Sequence, residues 1–305
     1  MVRVRPDIRH GVVTAAFVVP FCAAILFPFA VMLSASLKTN LEIYAGAGEF
    51  RWLPENPLWG NFAALWMRVP LMGRYFANSA IIAAGATVLA TVVSLPAAYA
   101  LSRLQFRGRR LFLQTVLVTQ MFSPIVIIIG LYKLFAATSV KWFFDALTNA
   151  GLGFLVPVGA PETLANNLFG LVLANAAFNT AFAVWMLSGY FASVPVEIEE
   201  AALVDGCSWW RMAVHVLVPL AAPGIVTAVI FVFIASWNEF IFALTLLASP
   251  ERRPVIVGLF SLIGMYEVEW NLVMGGALLA TLPMVVLFLV AERHITTGLT
   301  AGGIK

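Results

Sequence analysis

Long apolar runs dominate the chain, and six of them, all but one free of charge, have the length of helices rather than strands. They fall at about Gly11–Ser36, Tyr75–Ser102, Leu111–Tyr132, Leu168–Tyr190, Ala222–Leu247 and Trp270–Ala291, the fourth inside the uncharged stretch Thr163–Val196. Each is long enough to supply the about 20 apolar residues that a hydrocarbon layer about 30 Å thick requires. Pro20, Pro28, Pro96, Pro124 and Pro283 interrupt several of the runs. Such breaks are tolerated where neighbouring helices or polar side chains satisfy the freed carbonyls. The pattern therefore predicts a packed bundle of shaped helices.

The polar residues between the runs orient them. Arg103, Arg107, Arg109 and Arg110 crowd the short link between spans two and three, Arg3, Arg5 and Arg9 precede span one, and Arg293 follows span six. The positive-inside rule puts all three groups in the cytoplasm, and an even number of spans independently puts both termini on one side. The segments left outside are Leu37–Arg74, Lys133–Asn167 and Ser249–Glu269, whose basic residues are balanced by Glu42, Glu49, Glu55, Glu162, Glu251, Glu267 and Glu269. The expected fold is an all-α membrane protein of six transmembrane helices with both termini inside. Residues 1–74 make a tail, a first helix and an external loop; residues 75–305 make the core, with a cytoplasmic elbow at 191–221 and a cytoplasmic tail at 292–305.

Composition agrees. Hydrophobic residues are 62% of 305 positions and charged residues 11%, where a soluble domain carries about 25% charged residues. The net charge of +3 does not point to nucleic acid, because the basic residues sit at the ends of apolar runs and form no stripe. Met1–His10 and the run behind it have the order of a signal peptide, with Ser34 and Ser36 near a possible cleavage site. The run is about twice the usual signal core, so it reads as a retained helix. Cys22 and Cys207 fall in different compartments and read as two reduced thiols. His10, His215 and His294 are scattered, which argues against a membrane enzyme.

The segment between spans four and five breaks the pattern of short basic connectors. Pro195 precedes Glu197, Glu199 and Glu200, acids that complement the positive end of a helix. Ala201, Ala202 and Leu203 continue that helix and Gly206 ends it. Ser208 then caps a second short helix beginning Trp209-Trp210-Arg211, and Pro219 and Pro223 break the chain again. The two tryptophans fit interfacial anchors, while small residues beside a glycine turn fit close approach to a partner; the residues alone leave both readings open.

Glu200-Ala201-Ala202, Gly206 after three more residues, and Val216-Leu217-Val218-Pro219 after nine more resemble the pattern E-A-A, G, I-x-L-P of the membrane subunits of binding-protein-dependent ABC importers, with Val216 in place of the isoleucine. Ser188-Gly189-Tyr190-Phe191, Ser236-Trp237-Asn238-Glu239-Phe240 and the tail Gly298–Lys305 resemble carbohydrate-uptake permeases, with an overall likeness to the maltose-type second subunit from about Tyr75 onward. The external stretch Val140–Glu162 looks longer than usual for that family. The resemblance implies the ABC type I importer permease fold in a bacterial or archaeal cytoplasmic membrane. It implies that the elbow, through Glu199, Glu200, Ala201, Ala202, Asp205, Gly206, Trp209 and Pro219, docks into a dimer of ABC ATPases. The tail, through Gly298, Gly302 and Gly303, would reach the same ATPases, although such a tail also reads as disordered. The remaining partners implied are a second, different permease subunit, an external substrate-binding protein and the lipid bilayer, with no nucleic acid.

ATP chemistry is expected elsewhere. Lys38, Lys133, Lys141 and Lys305 are the only lysines and none follows a glycine, so no phosphate-binding loop is present. The chain is expected to bind no cofactor and to be no enzyme, with ATP and Mg used by the partner ATPase. Glu239 is the one acid inside an expected span; it reads either as a pathway residue or as a hydrogen-bonded brace with Asn238 or a neighbouring helix, and the brace is favoured. Asn175, Asn179 and Thr180 are further candidates for the interior. A secondary transporter or channel is the competing class, but it accounts neither for the elbow nor for the absence of a clear inverted repeat.

Overall fold

The computed structural model describes residues 8–45, 51–139, 141–151, 163–264 and 268–301. Helices account for most of them, and extended pairing among these residues is limited to the bridges Ser139–Thr163 and Ile263–Val268. In chain order the helices are α1 (Ile8–Ser36), α2 (Asn40–Ala45), α3 (Gly60–Arg68), α4 (Met72–Arg103), α5 (Arg109–Thr119), α6 (Pro124–Ala137) and α7 (Lys141–Asn149). They continue with α8 (Leu168–Ser193), α9 (Val196–Val204), α10 (Trp209–Met212), α11 (Val218–Leu220), α12 (Ala222–Trp237), α13 (Ile241–Leu246), α14 (Val255–Phe260) and α15 (Trp270–Ala301).

Four helices are long and apolar enough to cross a membrane unaided: Ala16–Ser36, Met72–Arg103, Leu168–Ser193 and Trp270–Glu292. Two bent pairs, α5 with α6 and α10–α11 with α12, pass the same test of length and apolarity together and bring the total to six where each counts as one span. The expected third span is thus not one helix. Pro124 has no N–H to return to the preceding turn, so the chain stops at Thr119 and restarts with Pro124 in the first turn of α6, at 95° to α5. The expected fifth span also ends early, at Trp237. A 16-residue helix rises about 24 Å, short of the hydrocarbon thickness, and the chain breaks at Asn238–Phe240 before α13 begins. By contrast, Pro20, Pro28, Pro96 and Pro283 all lie inside continuous helices. α15 runs ten residues past the expected end at Ala291, so the tail is helical as far as Ala301.

The chain divides into two compact units, Met1–Pro70 with Leu259–Leu282, and Leu71–Gly258 with Pro283–Lys305. In the first, Asn61 donates from Nδ2 to the carbonyls of Ser36 (2.8 Å) and Lys38 (3.0 Å), satisfying the end of α1. Lys38 is buried and donates to the Arg51 carbonyl. Phe27, Ser34, Lys38, Arg51 and Trp52 are among the residues that line a cavity of about 230 Å³. Arg68 pairs with Glu269, and Tyr44 donates to the Val268 carbonyl at 3.0 Å.

The second unit is built on α4, which packs against α8 and α12. Apolar burial drives little helix association in lipid, so close backbone approach must do it. Ala86, Ala90, Ser94 and Ala98 recur every fourth residue on one face of α4 and are wholly buried. Ala176 and Ala183 of α8 and Val232 of α12 complete that seam. At the opposite end from Arg103, α4 pins the loop before α14: Asn78 donates to the carbonyls of Glu251 and Arg253, and the Val255 amide donates to Ser79 Oγ at 2.8 Å. Asn166, in the left-handed region at φ 53°, binds Ser249 through both its amide atoms and receives Arg252 on its carbonyl.

Candidate functional site

The elbow begins where α8 stops. Val194 and Pro195 are extended, and α9 starts at Val196 with Pro195 as its N-cap. Three backbone bonds close its far end: Asp205 N to Ala201 O (2.9 Å), Gly206 N to Leu203 O (3.1 Å) and Cys207 N to Ala202 O (3.1 Å). The last two form a Schellman closure, which needs a left-handed residue, and Gly206 supplies it at φ 85°. Ser208 then accepts from the Arg211 amide and caps α10. A wide π turn, Ala213–Leu217, follows just before Pro219, whose missing N–H leaves the His215 carbonyl without its usual donor. The axis then turns by 74° into α12.

One face of the elbow is anchored. Met212, Leu217 and Ala221 are buried with Leu187 and Phe191 of α8, Ala98 of α4 and Ala228 of α12. Gly224 lets α12 lie directly on the ring of Tyr190, where a Cβ would collide with it. The other face is open: Glu197, Ile198, Glu200, Ala201, Leu203, Val204, Asp205, Gly206, Trp210 and Pro219 are all exposed. Apolar, acidic and small residues are thus presented together on a locally rigid turn. Trp209 divides between the two faces, with its ring edge-on to Tyr99 at 5.4 Å and half its surface exposed.

Glu199, grouped by sequence with the outward-facing acids, faces inward. Its side chain is 7% exposed and accepts from Arg103 Nε at 2.6 Å, while Tyr99 donates to its other oxygen at 3.3 Å. Arg103 Nη2 donates to the Val194 carbonyl at 2.8 Å. Helical spacing explains the division: Glu199 and Ala202 share the face toward the core, while Glu197, Glu200 and Ala201 lie on the outer face. Tyr99 and Arg103 were not singled out from sequence beyond Arg103's orienting charge. The available signal was an inward-spaced glutamate, which needs a basic partner when buried.

Glu239 lies in the break between α12 and α13 and not within a helix. Its carboxylate accepts from the amides of Phe242 (2.6 Å) and Ala243 (3.0 Å), capping α13. These contacts fit the brace reading, with backbone amides as the partners; Asn238 is exposed and donates to Met284 Sδ at 3.3 Å. Asn175 donates to Leu171 O within α8, and Asn179 to Asn175 O (2.9 Å) and Ser236 Oγ (3.2 Å), so Asn179 ties α8 to α12. Thr180 is turned back onto Ala176 O. Gly298 lies in α15; Gly302 and Gly303 fall outside the described residues, as does most of the external stretch 140–162.

Residues 90–295 match the family described as binding-protein-dependent transport system inner membrane component. The chain belongs to this family of permeases. The elbow and its final Val216-Leu217-Val218-Pro219 lie inside the matched region, with Val218 as well as Val216 differing from the I-x-L-P pattern. The permease is 30% identical over 287 residues to the inner membrane ABC transporter permease protein YcjP of Escherichia coli (strain K12), covering 93% of each chain. It is 31% identical over 282 residues, 92% of each chain, to the trehalose transport system permease protein SugB of Mycobacterium tuberculosis (strain CDC 1551 / Oshkosh). Its fold matches a crystal structure of a bacterial ABC transporter that imports the acidic polysaccharide alginate, with TM-score 0.68, 22% identity and coverage of 96% and 99%. The permease is therefore a multi-pass membrane subunit of an ABC importer and not the ATPase of that system.

Proposed function

We propose that this permease translocates a carbohydrate into the cytoplasm and that its elbow is the docking lever for an ABC ATPase dimer. The observation that carries the lever is the two-sided elbow: Glu200, Ala201, Leu203 and Val204 exposed on one face, and Met212 and Leu217 buried on the other. A rigid projection with an apolar and acidic surface fits a cleft with basic walls. The orientation with both termini inside rests on Arg103, Arg107, Arg109 and Arg110 between the second and third spans, of which Arg103 reaches the elbow. ATP and Mg act at the partner, and its closure on nucleotide biases the permease between inward- and outward-open states.

Carbohydrate is favoured by the relative that serves trehalose and by the Ser236-Trp237-Asn238-Glu239-Phe240 break. A second, different permease subunit would cover apolar surface such as Met121, Ile125, Val126 and Ile129, which is exposed in this chain. A substrate-binding protein would deliver the solute to the external segments, and the tail around Gly298, Gly302 and Gly303 would reach the ATPases along the extension of α15. The test is uptake by the assembled complex in vesicles against a panel of sugars, oligosaccharides and polyols. ATP-dependent uptake of a member of that panel is expected; ATP-dependent uptake confined to amino acids, peptides or ions would overturn the carbohydrate reading.

A further inference from the structure

Besides the apolar packing of Met212, Leu217 and Ala221 and its continuation into α12, the elbow is joined to the bundle in two further ways. The first attachment is covalent and runs from α8 through Val194 and Pro195, both extended. A two-residue extended link is a hinge: alone, it would let α9 swing without moving the helix behind it. The second attachment is Arg103 at the end of α4, which grips both sides of that hinge, with Nε on Glu199 and Nη2 on the Val194 carbonyl. Tyr99, one turn back on α4, holds the other Glu199 oxygen and packs edge-on to Trp209 beyond the glycine turn.

We propose that the Arg103–Glu199 pair is the joint that carries movement of the elbow into α4. The inference rests on the elbow being the docking lever and adds the residues that make it act as one. Net stability is a poor reason for burying such a pair, because desolvation cancels much of the attraction. Geometry is a better one: the planar arginine fork fixes the direction of two acceptors relative to each other, where a lysine's ammonium donates from one freely rotating point. Motion delivered to α4 reaches α8 and α12 directly, because the Ala86, Ala90, Ser94 and Ala98 face leaves no slack between them. Arg103 and Glu199 are positioning residues that touch neither nucleotide nor solute.

The test uses this chain assembled with its ATPase, second permease and binding protein in vesicles, reading solute transported per ATP hydrolysed. Glu199→Gln and Arg103→Gln are each expected to lower that ratio about tenfold, while the ATPase still co-purifies. Arg103→Lys should fall between them and the native chain, and the exchange Arg103→Glu with Glu199→Arg should recover part of the loss. If transport and hydrolysis fall together and the ratio holds, the joint is refuted. Should the single variants fail to accumulate, Arg103→Met with Glu199→Leu removes both buried charges; a lowered ratio supports the joint and a native ratio refutes it. Failure of the docking reading looks different, since the unmutated permease would then retain no ATPase.

Discussion

Substituting Gly206 isolates the conformational requirement of the elbow from its packing. The glycine sits at φ 85°, and a Cβ built there meets nothing within 4 Å. No steric cost therefore arises, and the whole effect of Gly206→Ala is the left-handed backbone, about 1–2 kcal/mol. A few tenths of that are offset because alanine also restricts the opened chain, leaving about 1 kcal/mol. Asparagine tolerates this conformation better and should lose less; valine, branched at Cβ, should lose more. The bonds at stake are those from the Gly206 and Cys207 amides to Leu203 and Ala202. Local opening of the closure exposes both amides, so hydrogen exchange in a peptide covering 196–212 reads the cost directly. About 1 kcal/mol corresponds to roughly fivefold faster exchange for alanine, with the order Asn, Ala, Val from least to most. Equal exchange in all three variants, or an alanine variant indistinguishable from the native chain, would refute the reasoning.

Other substitutions test the packing around the elbow. Ala90→Leu forces extra methylenes into the wholly buried α4 seam and should destabilise the permease by about 1–3 kcal/mol, read as earlier thermal unfolding in detergent, while Leu at exposed Val88 should not. Gly224→Ala drives a methyl group into the Tyr190 ring and should lower stability by a similar 1–3 kcal/mol; Gly224→Ala combined with Tyr190→Ala should recover part of it, and no recovery would show that the contact is not the cause. Glu239→Ala removes the acceptor of two amides at α13 and should cost about 1–2 kcal/mol, with Glu239→Gln closer to the native value; a normal Tm for Glu239→Ala would refute the brace.

The spans were legible because charge-free runs of this length have few other uses, and the elbow because proline, glycine and serine mark its turns locally. Pro124 was visible in sequence, yet prolines at 96 and 283 stay inside helices; whether a proline bends or breaks a helix depends on what its neighbours satisfy. The break after Trp237 was hidden for the same reason, since Asn238 and Glu239 carry no strong stop signal and only the capping of α13 explains the acid. The Arg103–Glu199 pair spans 96 positions, and no local pattern announces such a contact. Glu199 could be placed inward by spacing, but its partner is visible only once α4 and α9 are folded together.

The central claim is that this chain works as a permease through an elbow that engages a separate ATPase. The most direct measurement is site-specific cross-linking from the exposed elbow face, with a photo-reactive residue at Ala201 or Leu203 in membranes containing the whole importer. A covalent product joining the permease to the ATPase subunit, lost when the same residue is placed on the external loop at Glu251, is the predicted result. An elbow that cross-links only to lipid, while ATP-dependent uptake continues, would contradict the account.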